Sequence, residues 1–282
     1  MKFGINGWVW TSPVNTVEVM RLAPHVKQLG FDWFEIPLET IGDVDYASVA
    51  EVLRDTGLGV STCAAMGPDR DLIHQDEAIR ANGINYLREA IDATYGLGAT
   101  NLVGPLYSAV GRTWQQSADE RARDLDLLTA TLRELAKYAN DKGVVLCLEP
   151  LNRFETSFVN LAAQASEIVD RVGERNVGVL LDTFHMNIEE KSLGDAIRSS
   201  GKRLKHLHTC ENDRGAPGSG HVPWHSVAQA VKDIRYDGPV VIESFTPKVK
   251  SIARAAAIWR EFESSPDALA ESGGKFLRQL LG

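Results

Sequence analysis

Four polar residues of the chain follow apolar segments that are each typical of a short buried strand. Their separations are 33, 26 and 35 residues, and each separation is about the length of one strand and one helix. Carboxylate oxygens with an imidazole nitrogen are donors that suit a divalent cation. The spacing therefore predicts one metal site built by four successive strands. The residues are Glu149 after Val144–Leu148, Asp182 after Gly178–Leu181, His208 after Leu204–Leu207, and Glu243 after Val240–Ile242.

A metal explains this set better than four unrelated structural roles. Singly, each residue has an ordinary alternative as a helix cap or a salt-bridge partner. If four successive strands bring these residues together, the three carboxylates share a confined site of low dielectric constant. There they repel one another and cannot all stay ionised without a cation. The absence of thiolates argues against a structural zinc site. We expect one divalent ion per chain, with Mn²⁺ preferred and Co²⁺ or Mg²⁺ as alternatives, since affinity order alone does not choose among them.

The elements that position these residues repeat along the chain. Each unit contains a β-branched run, a polar loop, an amphipathic segment and a glycine of the kind that ends a helix. Strands that alternate with helices imply parallel pairing through right-handed crossovers. The eight predicted strands are Phe3–Gly7, Trp33–Ile36, Gly59–Cys63, Thr100–Val103, Val144–Leu148, Gly178–Leu181, Leu204–Leu207 and Val240–Ile242.

Eight such units predict an α/β fold, a single (β/α)8 TIM barrel over residues 1–282, with its active site at the C-terminal ends of the strands. An open doubly wound sheet is the main alternative. Its glycine-rich turn after the first strand is missing, because the chain has bulky residues between Gly7 and Ser12. No composition shift or linker indicates a domain boundary.

Composition excludes several classes of function. The chain has 30 Lys and Arg against 38 Asp and Glu, a net charge of −8, which argues against a nucleic-acid partner. No apolar stretch is long enough to span a membrane, so we expect no membrane partner. The three cysteines, Cys63, Cys147 and Cys210, have no metal-ligand spacing and are typical of reduced thiols in a cytoplasmic protein.

Several segments resemble the ketose 3-epimerases of the sugar isomerase/epimerase superfamily, the group that includes D-tagatose and D-psicose (D-allulose) 3-epimerases. The resemblance extends from Gly4 to about Trp259. The segments that show it are Glu149–Glu155 (EPLNRFE), Leu181–Glu190 (LDTFHMNIEE) and Trp259–Arg260.

The resemblance implies C3 epimerisation of a free 2-ketose, a small-molecule substrate, by a homo-oligomeric enzyme. It implies that Glu149, Asp182, His208 and Glu243 are the metal ligands, in agreement with the spacing. Glu149 and Glu243 would also be the catalytic acid/base pair. Glu155, His185 and Arg214 would bind the O1–O2 end of the substrate.

This reaction explains the need for two carboxylates. One glutamate removes the weakly acidic proton beside the carbonyl, and the other returns a proton to the opposite face. The enediolate therefore does not have to flip within the site between the two steps. A cation at O2 and O3 would stabilise that enediolate. Which glutamate acts first depends on the configuration at C3, so both roles are assigned to the pair.

Several other residues are given a position by the sequence. We interpret His206 and His208 as facing opposite sides of their strand, with His208 in the mouth and His206 packed among helices. We expect Asn6 near the far carbons of the sugar, and Met66 as part of a soft wall beside the substrate. Three loop tryptophans could line the mouth or only anchor loops, and these are Trp8, Trp10 and Trp114.

Other functions remain open at this point. An aldose–ketose or hydroxypyruvate-type isomerase could use the same metal site, and a hydro-lyase acting on inosose-like substrates is a further option. An apurinic endonuclease would need more histidines than the 7 present and a basic groove. A sugar-binding barrel without activity would not need two glutamates at one metal. The glycine-rich loop Gly215–Gly220 could bind a phosphate, but the crowded carboxylates favour an unphosphorylated substrate.

Overall fold

A closed barrel of eight parallel strands forms the centre of the molecule. The computed structural model describes all 282 residues, and its strands neighbour one another in chain order, with β8 paired to β1. The predicted (β/α)8 architecture is confirmed. The strands are β1 Lys2–Asn6, β2 Trp33–Pro37, β3 Gly59–Cys63, β4 Asn101–Gly104, β5 Val145–Leu148, β6 Val177–Asp182, β7 Leu204–Thr209 and β8 Pro239–Ile242.

All eight predicted strands exist, and each boundary differs from its prediction by at most two residues. The differences have a consequence in β6 and β7, which run further than expected. Asp182 and His208 are therefore inside their strands and are paired with each other across the β6–β7 ladder. Glu149 and Glu243 directly follow β5 and β8, as predicted.

Helices surround the barrel and supply its outer layer. No helix combines the length and apolar character that crossing a membrane requires. Two short 3₁₀ segments, Gly7–Val9 and Gly201–Arg203, accompany them. The helices are α1 Thr16–Gln28, α2 Tyr46–Thr56, α3 Glu77–Gly96, α4 Ala118–Asn140, α5 Ala162–Val172, α6 Thr183–Glu189, α7 Leu193–Ser200, α8 Trp224–Asp233, α9 Lys250–Ala255 and α10 Pro266–Leu281.

Trp33 of β2 occupies the barrel interior below the mouth, and two glycines make room for it. Gly4 of β1 and Gly59 of β3 are its partners in the neighbouring strands. A Cβ atom at Gly59 would lie 2.1 Å from the indole ring, closer than any van der Waals contact permits. The indole Nε1–H donates to Ser61 Oγ at 2.9 Å, so this side chain supports the polar residues above it.

We expect Gly59→Ala to lower the free energy of unfolding by about 1–3 kcal/mol, because the added methyl group forces the Trp33 ring to move. Urea denaturation of both proteins measures the difference. The matched comparison is the same substitution in a Trp33→Leu background. There the smaller leucine side chain leaves space for the methyl group, so the loss of free energy of unfolding should be smaller. An equal cost in both backgrounds would contradict this account.

Candidate active site and metal centre

The four predicted metal ligands meet at the mouth of the barrel. One ligand atom from each of Glu149, Asp182, His208 and Glu243 can be chosen so that all four lie within 4.8 Å of one another. All four side chains are buried. Parallel strands deliver them together because the C-terminal ends of successive strands meet at one mouth of the barrel. The predicted convergence is therefore present in the structure.

Arg214 supplies positive charge to this group of carboxylates. Its Nη1 donates to Asp182 Oδ2 and, at 2.9 Å, to Glu243 Oε2. The guanidinium also stacks 4.1 Å from the ring centre of Phe184. Arg214 has a left-handed backbone with φ of 72°, held by the Ser244 hydroxyl that donates to its carbonyl oxygen at 2.7 Å. This turn directs the guanidinium into the mouth.

The pKa values of Asp182 and Glu149 shift in opposite directions, and of these two only Asp182 is hydrogen-bonded to the guanidinium. Burial alone raises the pKa of Asp182, but Arg214 and the neighbouring histidines outweigh burial and bring the pKa below its usual value. Burial and repulsion from Glu243 raise the pKa of Glu149 well above its usual value. The protein's own cation therefore does not offset the whole cluster.

The unpaired nitrogen of His208 shows that the residues fit a cation. His208 Nδ1 is buried without a hydrogen-bond partner, and it lies 3.5 Å from Glu243 Oε1 and 3.9 Å from Glu149 Oε1. A buried polar atom without a partner is costly unless something binds it. Three carboxylates and this nitrogen provide the donor set that Mn²⁺, Co²⁺ and Mg²⁺ accept.

The predicted substrate-binding residues Glu155, His185 and Arg214 line the same cavity as Glu149 and Glu243. Burial and the charge of Arg214 lower the pKa of His185 to about 4, so its ring is neutral near pH 7. Its Nδ1 accepts the backbone N–H of Asn152 at 3.0 Å. Its Nε2 lies 3.2 Å from Arg214 Nη2, a donor, and 3.7 Å from Glu149 Oε1.

The cavity has a volume of about 260 Å³ and is lined by both polar and apolar side chains. The polar lining consists of the carboxylates, the histidine and the arginine described above. The apolar lining includes Trp8, Val110, Leu151, Phe245 and Ile252. A ligand in this cavity would make both hydrogen bonds and van der Waals contacts.

One functional candidate, Glu35 of β2, was missed by the sequence analysis. It is completely buried inside the barrel, and its Oε1 lies 2.8 Å from His208 Nε2. Burial raises the pKa of Glu35, but His208 and His206 outweigh it and hold the pKa well below its usual value. The available signal was a single acidic residue inside the otherwise apolar β2 segment WFEIP.

The interpretation of His206 was wrong. Residues two apart in a strand lie on the same face, so His206 and His208 both point into the barrel. Their ring centres are 5.1 Å apart, and His206 Nε2 lies 2.9 Å from Glu35 Oε2. His206 is therefore surrounded by barrel residues and not by helices.

The expectation for Asn6 was also wrong. Asn6 is fully buried below the cavity, where its Nδ2 donates to Glu35 Oε1 at 2.9 Å. Trp8 lines the cavity in its place, whereas Trp10 and Trp114 do not. Met66 is buried in the hydrophobic core and does not line the cavity.

The glycine-rich loop Gly215–Gly220 folds around a carboxylate of the chain itself. Glu211 is completely buried and accepts N–H groups from Gly218 at 2.8 Å, Val222 at 3.1 Å and the Trp224 indole at 2.6 Å. These donors are therefore already satisfied by an internal anion.

The chain is similar to known proteins in both sequence and fold. Residues 24–280 match the family described as xylose isomerase-like TIM barrel. The chain is 37% identical to D-psicose 3-epimerase of Agrobacterium fabrum, covering 95% of this chain and 93% of the relative. It is 31% identical to L-ribulose 3-epimerase of Methylomonas sp., covering 99% and 97%. The solved D-allulose 3-epimerase of Methylomonas sp. in complex with D-allulose superimposes with a TM-score of 0.93 at 30% identity, covering 99% and 97%.

We expect Mn²⁺ binding to release protons and to strengthen as pH rises. Glu35 and Glu243 outweigh burial and raise the pKa of His208, and the pKa of Glu149 is also raised, so each group keeps its proton to a higher pH than the free side chain does, and a cation competes with that proton. Calorimetric titrations at pH 7 in buffers of different ionisation enthalpy count the released protons. His225→Gln, an exposed histidine of α8, is the control and should leave the count unchanged. Binding heats that do not depend on the buffer would refute this expectation.

Proposed function

The chain belongs to the xylose isomerase-like TIM barrel family, and from this premise we propose that it is a metal-dependent ketose 3-epimerase that acts on free 2-ketoses. The observation that supports this most strongly is the placement of Glu149 and Glu243. They follow β5 and β8, which are three strands apart around the barrel, so they approach one cavity from different sides. The curated relatives named above are themselves 3-epimerases of ketoses.

Inversion at C3 assigns a task to each of these glutamates. One carboxylate takes the C3 proton from one face of the sugar, and the other donates a proton to the opposite face. Because the two side chains reach the cavity from separate strands, the substrate has no need to rotate between the steps. The configuration of C3 decides which glutamate acts as the base.

Glu149, Asp182, His208 and Glu243 would hold the cation. A bound divalent ion supplies positive charge that offsets the three carboxylates and stabilises negative charge on the ketose oxygens. We propose Mn²⁺ as the preferred ion, with Co²⁺ and Mg²⁺ as alternatives, because the donor set has three carboxylates and one imidazole.

Glu155, His185 and Arg214 would bind the O1–O2 end of the ketose. The Arg214 guanidinium, whose Nη2 lies 3.2 Å from His185 Nε2, can donate to a sugar oxygen, and Glu155 can accept from a hydroxyl group. The Asn152 amide fixes both partners, since its Nδ2 donates to Glu155 Oε1 at 2.8 Å and lies 3.0 Å from His185 Nδ1. Glu149 and Glu243 line the same cavity as these residues, so C3 of a ketose bound in this way would lie near the two glutamates.

An unphosphorylated substrate agrees with the state of the loop after β7. In barrels of this kind, phosphate is often bound by the loops after strands seven and eight. Here Glu211 already accepts the N–H groups of the first loop, and Ser244–Pro247 after β8 contains no glycine. A phosphate dianion would also enter beside three carboxylates. We therefore propose that free ketoses are preferred over their phosphate esters.

The proposal extends to the domain organisation, oligomeric state and cellular location of the protein. The 282 residues would function as one barrel domain. The family resemblance implies a homo-oligomer, which light scattering after gel filtration would measure. Three buried cysteines without disulfide partners favour a cytoplasmic location.

The proposal is tested by incubating the metal-loaded enzyme with a panel of 2-ketoses in D₂O and reading the products by NMR. We expect inversion at C3 with deuterium at that carbon, and loss of turnover after chelation that Mn²⁺ or Co²⁺ restores. Deuterium confined to C1 would instead indicate an aldose–ketose or hydroxypyruvate-type isomerase.

We expect Glu149→Gln and Glu243→Gln each to lower kcat by about 10²–10⁴-fold, because each removes the proton carrier for one face. Glu167→Gln on α5, which is half exposed beside Arg171, serves as the control and should keep full activity. Substantial epimerase activity in either active-site variant would rule out the two-glutamate mechanism.

The ratio of kcat/KM for a free ketose to that for its terminal phosphate ester should exceed one under identical metal loading. Arg214→Ala should raise KM for the free ketose and lower kcat, because the guanidinium contacts both Asp182 and Glu243. A clear preference for the ester would show that the loop around Glu211 binds phosphate after all.

A further inference from the structure

Both carboxylate oxygens of Glu35 have polar partners beneath the barrel mouth. Its Oε1 lies 2.9 Å from Asn6 Nδ2 and 2.8 Å from His208 Nε2. Its Oε2 lies 2.8 Å from Ser61 Oγ and 2.9 Å from His206 Nε2. These partners come from β1, β3 and β7, so the carboxylate connects three other strands inside the barrel.

The directions of the Asn6 and Ser61 donors are each fixed by a further contact. Asn6 Oδ1 accepts the backbone N–H of Trp8 at 2.9 Å, which leaves its amide nitrogen to face Glu35. Ser61 Oγ accepts the Trp33 indole N–H at 2.9 Å, which leaves its own proton for Glu35. Glu35 therefore has little freedom to rotate or move.

This arrangement selects one orientation and one tautomer of His208. An ionised carboxylate only accepts hydrogen bonds, so the nitrogen 2.8 Å from Glu35 Oε1 must carry a proton, and that nitrogen is Nε2. The other nitrogen, Nδ1, is then the one that can lose its proton to a binding cation and present its lone pair to the centre formed with Glu149 and Glu243. It is the same Nδ1 that has no hydrogen-bond partner in the structure.

We propose that Glu35 is a positioning residue for the metal centre, which keeps His208 in the Nε2–H tautomer with Nδ1 directed at the cation. The inference rests on the proposed function only for the location of that centre. Glu35 does not reach the substrate cavity and does not touch the reacting atoms. It acts through the ligand that it orients, as carboxylates behind metal-bound histidines generally do.

A second cation site around Glu35 is the main alternative. Glu35 forms a possible donor group with Cys63 and Glu243, and another with His206 and His208. However, both carboxylate oxygens already face two polar partners each, so they have no free direction for a metal ion. The Cys63 thiol also accepts from Asn6 Nδ2 at 3.3 Å. The contacts of Glu35 are those of an anchor for His208.

The first test compares Mn²⁺ binding to wild-type protein and Glu35→Gln by calorimetry without substrate. We expect Glu35→Gln to bind Mn²⁺ about 10–100-fold more weakly, because the amide no longer imposes one tautomer on His208. Thr94→Val is the control for lost stability, since it removes a buried hydroxyl contact with Thr62 at 2.6 Å behind β3. It should leave Mn²⁺ affinity unchanged. Equal affinities in wild-type protein and Glu35→Gln would overturn the proposal.

A second measurement, by NMR on the wild-type protein, does not require Glu35→Gln to fold. Long-range ¹H–¹⁵N NMR spectra of the wild-type protein loaded with diamagnetic Mg²⁺ report the tautomer of His208, assigned by comparison with His206→Gln. We expect a protonated Nε2 and an unprotonated Nδ1. An Nδ1–H tautomer would overturn the proposal.

The failure of this inference is distinguishable from failure of the proposed function. Neither measurement uses a sugar, so both can support the role of Glu35 in a protein that does not invert C3. Conversely, a protein that epimerises ketoses but binds Mn²⁺ equally well in Glu35→Gln would retain the function and exclude this role.

Discussion

Buried carboxylates of like charge cannot stay ionised together unless positive charge is placed among them, and the barrel mouth is organised by this constraint. Arg214 reaches Asp182 and Glu243 from a left-handed turn. Glu149 receives no hydrogen bond from that guanidinium, and its pKa is raised. A cation among the ligands would complete the neutralisation and leave Glu149 ionised, which a carboxylate must be if it is to accept a proton from carbon.

Much of the fold and the metal centre could be predicted from the sequence because both depend on local patterns. Each strand–helix unit is recognisable by itself, and closure of eight units into a barrel brings equivalent positions to one mouth. Glu149 and Glu243 could be assigned to one mouth because the strands that precede them, β5 and β8, could be recognised in the sequence. The roles of Glu155 and His185 came from resemblance and not from spacing.

The remaining features depend on contacts that no local pattern contains. Glu35 and His208 are 173 residues apart and meet across the barrel interior. The use of Glu211 as an internal anion depends on the path of the loop after β7, which the glycine content alone does not determine. His206 shares the inward face of β7 with His208 because residues two apart in a strand point the same way, and Asn6 is buried below the cavity because the inward face of β1 is also polar there.

The residues beneath the cavity and the apolar residues that line it differ in how freely evolution can change them. Beneath the cavity, residues 6, 35, 61 and 208 share hydrogen bonds through one carboxylate, so a substitution at one position disturbs the partners at the others. Val110 and Ile252 line the cavity with aliphatic side chains, which have no hydrogen bonds to lose. Single substitutions there can alter the shape offered to a ligand while the buried hydrogen bonds stay intact. The shape of the cavity can therefore vary without loss of the polar network that supports it.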